Sequence, residues 1–84
     1  MIDQESWIQD PEGRWSLRFH LDPNSWNKHP YVFLDKGMAM PDGSPAMLKS
    51  RKYVPKREAK AFWEELTSAG WKIVDPQWGS DLEP

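Results

Sequence analysis

The sequence predicts a small α+β domain, in which a mostly antiparallel sheet of four to five strands carries one α-helix on one face. Short apolar segments, several with the period of two that is typical of strands, occupy the first two thirds of the chain. One amphipathic helical segment, at about 55–69, follows them, and a short strand follows the helix. Runs of strands followed by a helix favour a sheet with a helix packed on one face.

The clearest strand spans residues 14–21, because apolar and polar side chains alternate there. A short strand at 6–9 precedes it across a turn at 10–13, where Pro11 and Gly13 fit a type I turn. Antiparallel sheets commonly leave one face in water, so the polar side of this strand is predicted to be solvated. The apolar side consists of Trp15, Leu17, Phe19 and Leu21, and the polar side of Arg14, Ser16, Arg18 and His20.

Two further strands are predicted in the middle of the chain. Residues 22–30 have the composition of a loop, and the aromatic and β-branched segment 31–34 after them is a strand bounded by Asp35-Lys36-Gly37. Residues 38–40 either continue that strand or form another. A turn at 41–44 then leads into a mixed segment at 46–53, which is assigned as a strand although its lysines must be largely solvated.

The helix has clear signals at both ends. Pro55 suits the first turn, and Gly70 is placed just past the last residue. One apolar stripe along this helix needs a sheet to pack on. The last strand is expected at 71–74, with Trp78 just beyond it. The stripe consists of Ala59, Phe62, Trp63, Leu66 and Ala69.

The length and composition point to one domain, at 6–78, with flexible acidic termini at 1–5 and 79–84. The chain has no cysteine to staple a small core, so its six tryptophans are first of all structural. No apolar run is long enough to span a bilayer, and the acidic N-terminus is unlike a signal peptide. We therefore expect a cytosolic protein without a membrane partner, either a monomer or a homodimer.

A basic segment at 49–60 is the strongest candidate for binding. Residues 13–74 contain eleven Lys and Arg against six Asp and Glu, a local excess of +5. Cationic clusters with interleaved aromatics bind nucleic acid, and Arg14 and Arg18 could add a second row. Against this, the pI of about 5.6 is low for a nucleic-acid binder, and the segment also fits an ordinary solvated surface. The segment contributes Lys49, Arg51, Lys52, Tyr53, Lys56, Arg57 and Lys60.

Two tryptophans, Trp26 in a polar loop and Trp78 in the tail, are assigned to the core by neither strand nor helix periodicity. Each could cover an edge of the core, or could be an exposed interface anchor. Our first functional hypothesis is a non-catalytic regulatory or adaptor protein that binds a protein partner through Trp26 and the basic start of the helix. The alternative is a sequence-tolerant RNA- or DNA-binding module that uses the basic segment.

Catalysis and cofactor binding have little support in the sequence. No nucleophile with a base, Walker loop or dinucleotide fingerprint is present. His20, Asp22 and His29 are the only conceivable metal set, and surface histidines of this kind are seldom ligands. We therefore expect no enzyme activity, no cofactor and no metal.

Four sequence segments together resemble a cyanobacterial family of small Trp-rich proteins, which is catalogued as domain of unknown function 1651. The resemblance covers about residues 7–78. It implies a cyanobacterial or cyanophage source and a cytosolic location, but no activity, ligand or catalytic residue. The segments are PEGRWSLRFHLDPNSW (11–26), HPYVF (29–33), PDGSPAMLKSRKYVP (41–55) and AFWEELTSAGW (61–71).

Overall fold

A computed structural model describes residues 5–79 of the chain. Within these residues, one helix and five strands form an α+β fold, as predicted. The helix is too short and too polar to cross a bilayer. The predicted flexible termini lie outside the described residues except for Glu5, which belongs to the first strand, and Gly79. The elements are β1 (Glu5–Gln9), β2 (Trp15–Leu21), β3 (Tyr31–Met38), β4 (Met47–Pro55), α1 (Lys56–Ser68) and β5 (Lys72–Ile73).

The strands form a single antiparallel sheet in the order β4-β3-β2-β1-β5. Four consecutive strands pair with their neighbours in sequence, and β5 returns after the helix to the free edge of β1. The predicted turn at 10–13 closes the first hairpin, where Gly13 N donates to Asp10 O at 3.0 Å and Gly13 adopts a φ of 73°.

The main core lies between the sheet and α1. Phe19 and Ile8 are completely buried there, and the Trp63 ring meets Phe19 edge-on, with centroids 5.1 Å apart. These residues share one face because β1, β2 and β3 are paired in register, which aligns Ile8 with Leu17 and Phe19 with Leu34. The alternation of β2 therefore predicted this core correctly. Its buried members are Ile8, Leu17, Phe19, Val32, Leu34, Ala59 and Trp63.

Helix α1 begins after Pro55 and ends before Gly70, close to the predicted bounds of 55–69. Gly70 has a φ of 103°, which only glycine adopts readily, so it stops the helix. The predicted apolar stripe is only partly buried. Ala59 and Trp63 face the core, whereas Phe62 stays 38% exposed and Ala69 lies at the surface. Leu66 packs against the same core but is only half-buried, so the helix covers the sheet with part of its predicted stripe.

A second, smaller core lies on the other face of the sheet. The tail folds back so that Trp78 packs on Trp7, with ring centroids 4.4 Å apart, and both contact Ala46. Gly37 makes room for this ring, because a Cβ at that position would lie 2.7 Å from Trp78 Cζ3. Of the two alternatives for Trp78, the structure shows the structural one: the residue covers the sheet.

Two predictions are wrong, one about where the third strand ends and one about the solvation of the second strand. Asp35, Lys36 and Gly37 do not bound the third strand but continue it to Met38, and Asp35 is fully buried. Most of the predicted polar side of β2 is not solvated: Ser16 is buried, and Arg18 and His20 lie over Asp35, whereas Arg14 just before the strand is exposed. The sheet therefore buries side chains on both of its faces. An alternating pattern with one polar side predicts burial on one face only.

Candidate functional site

Four elements meet at one end of the molecule, which we call the loop end: the loop 22–30, the start of β3, the end of β4 and the start of α1. Backbone hydrogen bonds fix their arrangement. Asp22 N donates to Tyr31 O at 2.9 Å, and Lys56 N donates to Pro30 O at 2.9 Å. Ser25 Oγ donates to Asp22 O at 2.7 Å and accepts from Tyr31 N at 3.1 Å. The loop is thus tied to both strand and helix.

A basic pocket of about 490 Å³ opens at the loop end. Its lining contains three lysines and an arginine, and no acidic residue among those that the structure describes. The first turn of α1 borders the pocket and has no side-chain cap, so its backbone N–H groups add partial positive charge. We refer to this set as the basic pocket. Its polar members are Lys28, His29, Tyr31, Lys56, Arg57 and Lys60.

An aromatic row begins at the wall of the basic pocket and runs across the open part of the sheet. Tyr31 and Tyr53 are stacked, with centroids 4.8 Å apart and planes 21° apart. Phe33 lies 4.8 Å from Tyr53 in a tilted arrangement, and the Arg51 guanidinium lies 4.6 Å above the Phe33 ring. Tyr53 is 48% exposed. The row forms because Phe33 is paired with Tyr53 across β3 and β4, and Tyr31, two residues before Phe33, lies on the same face of the sheet, opposite α1.

The Tyr53 ring is held in place by Asp22. Its hydroxyl donates a hydrogen bond to Asp22 Oδ2, and Asn24 N donates to the other carboxylate oxygen at 2.9 Å. The bond to Asp22 raises the pKa of Tyr53 to about 12, because ionisation would lose the bond and place two negative charges together. The same bond lowers the pKa of Asp22. Tyr53 is therefore a neutral, oriented ring at physiological pH.

Trp26 projects from the loop beside the basic pocket and is 63% exposed. Its ring rests on His29, with centroids 5.0 Å apart, and Lys28 Nζ lies 5.9 Å from its centre. Of the two tryptophans that periodicity did not assign, Trp78 therefore covers the core, whereas Trp26 is exposed. An exposed indole on a well-bonded loop is available to an incoming ring or surface.

A buried charge cluster occupies the middle of the sheet, next to the aromatic row. Arg51 donates two hydrogen bonds to Asp35, Nε to Oδ1 at 2.6 Å and Nη2 to Oδ2 at 2.9 Å. His20 Nε2 donates to Asp35 Oδ2 at 2.8 Å, and Arg18 Nη1 lies 3.9 Å from it. Arg18 also pairs with Glu5 at 3.3 Å. Burial alone would raise the pKa of Asp35, but these donors and their charges lower it from 3.8 to about 2.

The structure divides the basic residues that the sequence singled out. Lys56, Arg57 and Lys60 line the basic pocket. Arg18 and Arg51 belong to the charge cluster, where Asp35 and Glu5 balance their charge. The remaining three lie elsewhere. Lys52 is on the helix face, and Arg14 and Lys49 lie near the far ends of β2 and β4.

Sequence reasoning missed Lys28, Tyr31 and Asp35. Lys28 and Tyr31 join the pocket only because the loop is folded against α1, so no local pattern pointed to them. Asp35 gave a signal that could have been used, since a lone acid directly after YVFL within a strand-like run requires a buried partner. The three residues that were weighed as a conceivable metal set each have another partner: His20 bonds Asp35, Asp22 bonds Tyr53, and the His29 ring lies tilted against Trp26.

A comparison with protein-family models identifies the family of this domain. The model described as "Protein of unknown function (DUF1651)" matches residues 5–78. The chain belongs to this family. The resemblance inferred from the four sequence segments is thereby confirmed, and the DUF1651 match spans every strand and the helix. Neither a search of curated proteins nor a search of solved structures returned a match. The family description states no activity, so a function for the DUF1651 domain has to be inferred from the geometry of the loop end.

Proposed function

We propose that this protein is a non-catalytic module that binds single-stranded nucleic acid in a sequence-tolerant way at the loop end. The observation that carries the proposal is the adjacency of the basic pocket to the aromatic row, with Tyr31 belonging to both. Single-strand binders combine a cationic groove for the backbone with aromatic rings on which bases stack. Of the two functions considered from the sequence, this geometry favours the second.

The division of labour between the two parts follows from their chemistry. The ammonium groups of Lys56, Lys60 and Lys28 can contact phosphate oxygens without reading sequence. A base can stack against the exposed part of Tyr53, whose ring is already oriented by Asp22, so little side-chain entropy is lost on binding. Trp26, which contacts the pocket residues His29 and Lys28, offers a second stacking surface. Neither contact distinguishes one base from another.

The net charge of the chain, −2, does not oppose such binding, because the charge is unevenly placed. Phosphates respond to the local field within about a Debye length of ~8 Å at physiological salt. Over that range the basic pocket presents four cations. Asp22, which lies beside the aromatic row, already accepts hydrogen bonds from Tyr53 and Asn24.

Charge reversal in the basic pocket should abolish binding to a fluorescein-labelled RNA of about ten nucleotides, the length of a typical single-strand site. The test variant carries Lys56→Glu, Arg57→Glu and Lys60→Glu, and anisotropy is measured at two salt concentrations. With about three phosphates neutralised, the affinity of the unaltered protein should fall roughly eighteenfold between about 50 and about 200 mM salt. Replacing Tyr53 by Leu should weaken binding about tenfold through lost stacking.

The control is charge-matched: Arg14→Glu, Lys49→Glu and Lys72→Glu reverse three cations away from the loop end. This variant should retain most of the affinity. Equal losses in both triple variants would show that only overall charge matters, and binding that ignores salt would refute the proposal. Circular dichroism on both variants establishes that each is folded.

A second candidate function, binding of a protein partner, is supported by the 63% exposure of Trp26, since such rings often anchor interfaces. In this case nuclease-treated lysate of the source organism should yield a stoichiometric polypeptide on the unaltered bait. Trp26→Ser should lose it, whereas Lys72→Glu should keep it. Identical polypeptides on the Trp26→Ser bait and the unaltered bait would remove this candidate.

A further inference from the structure

A second concavity lies on the helix face of the sheet, away from the loop end. We call it the lysine-rimmed cleft. It has a volume of about 290 Å³. Its floor is Leu17 and Leu34, and one wall is formed by Phe62 of α1 together with Leu66 and Trp71. The cleft exists because α1 covers the sheet only in part, and Phe62 is left with 38% of its surface exposed above the floor.

The opposite rim of the cleft is cationic. Lys52 is paired in register with Leu34, and Lys36 with Leu17, so both lysines extend from strand positions that flank the apolar floor. The Lys36 ammonium lies 4.3 Å from the centre of the Trp15 ring, which holds it at the rim. Ser50 adds a hydroxyl on the same side. Among the residues that the structure describes, no carboxylate lines the cleft.

We propose that the lysine-rimmed cleft binds a small amphiphilic anion, of the class of a medium-chain carboxylate. The apolar floor and wall would cover the hydrocarbon part, and the Lys52 and Lys36 ammonium groups would pair with the carboxylate. Charge complementarity selects an anion over a neutral apolar compound. The volume is at the small end of the range for ligand sites, which favours a single short chain over a peptide or a folded partner.

Binding at this cleft is independent of nucleic-acid binding at the loop end. The basic pocket and the cleft share no lining residue. A failure of one proposal therefore leaves the other intact, provided that each is measured with its own ligand and its own variants.

The test is a titration of the full chain with octanoate below its micelle concentration, followed by two-dimensional ¹H–¹⁵N NMR. Saturable shifts are expected for the Trp71 indole N–H and for the backbone of Leu34 and Lys52, with the indole signal assigned through Trp71→Phe. Octanol has the same chain without the charge and should bind about fivefold more weakly, since a partly exposed ion pair contributes little more than that. Lys52→Glu should weaken octanoate binding by a similar factor or more.

Lys28→Glu is the matched control, because it reverses one lysine in the basic pocket instead and should leave octanoate binding unchanged. Lys36→Gln is a second variant of the rim and should also weaken binding. The proposal is wrong if octanoate gives no saturable shifts, if the shifts centre on the loop end, or if octanol and octanoate bind equally well. Equal affinity of the Lys52→Glu variant and the unaltered protein for octanoate would likewise overturn it.

Discussion

Asp35→Ala is expected to lower the free energy of unfolding by about 3 kcal/mol, the typical cost of leaving a buried charge without its partner. Asp35 is fully buried and accepts hydrogen bonds from Arg51 and His20. Without its carboxylate, two arginines and a histidine would face one another over an empty site, while only Glu5 balances Arg18. In a domain this small, such a loss should lower the melting temperature by roughly 15 °C.

The measurement is urea unfolding followed by tryptophan fluorescence, with Asp75→Asn as the control at an exposed position. The control should change stability by less than about 0.5 kcal/mol. Asp35→Leu separates the loss of charge from the loss of volume, because leucine fills the space of the aspartate side chain but carries no negative charge. An unfolding free energy of Asp35→Ala within error of the unaltered protein would show that the charge cluster contributes nothing to the fold.

The same carboxylate should produce a pH dependence in acid. Because the pKa of Asp35 is lowered from 3.8 to about 2, its stabilising effect is complete above about pH 4 and is lost as the pH falls through 2. The shift corresponds to a contribution on the order of 2 kcal/mol. The difference in stability between the unaltered protein and Asp35→Asn should therefore narrow between pH 4 and pH 2. A difference that stays constant over that range would contradict the assignment.

The second large effect concerns Trp78 and Gly37. Trp78→Ala should cost about 3 kcal/mol, because it empties the second core against Trp7 and Ala46. Gly37→Ala should cost about 2 kcal/mol, since the new Cβ would lie 2.7 Å from Trp78 Cζ3 and the packed ring must move. Trp26→Ala is the control, and it should change stability by less than about 0.5 kcal/mol because Trp26 is exposed.

The double variant gives the decisive result. The three heavy atoms nearest to a Cβ at position 37 all belong to Trp78, so the Trp78→Ala change removes the close contacts, and alanine is preferred to glycine inside a strand by about 0.5 kcal/mol. Gly37→Ala is therefore expected to be destabilising in the unaltered protein and slightly stabilising in the Trp78→Ala background. Additive effects in the double-mutant cycle would show that the two residues are not in contact.

Much of the fold could be predicted because its elements carry local signals. The alternation from Trp15 to Leu21 fixed β2 and its buried side, and Pro55 and Gly70 marked the ends of α1 to within a residue or two. Part of the loop end was also predictable. Lys56, Arg57 and Lys60 are close in sequence on one helix, so their proximity needed no tertiary information.

These errors share one cause: the sequence pattern of a strand does not show which residues of the neighbouring strands it will contact. The Asp35 to Arg51 and Asp35 to His20 pairs join residues 16 and 15 positions apart, and they exist only because β2, β3 and β4 align in one register. Without knowledge of that register, the acid Asp35 after a run of apolar residues is interpreted as the start of a turn. For the same reason, Arg18 and His20 on the polar side of β2 are interpreted as solvated.

The sequence by itself determined the fold class, the strands and helix, and the presence of a basic segment, since these depend on periodicity, turn chemistry and composition. Only the tertiary structure decided which cations remain available. It placed Arg51 and Arg18 against Asp35, and it brought Lys28 and Tyr31 to the start of α1. It also decided that Trp78 is buried and Trp26 exposed, because that depends on where the tail and the loop meet the sheet.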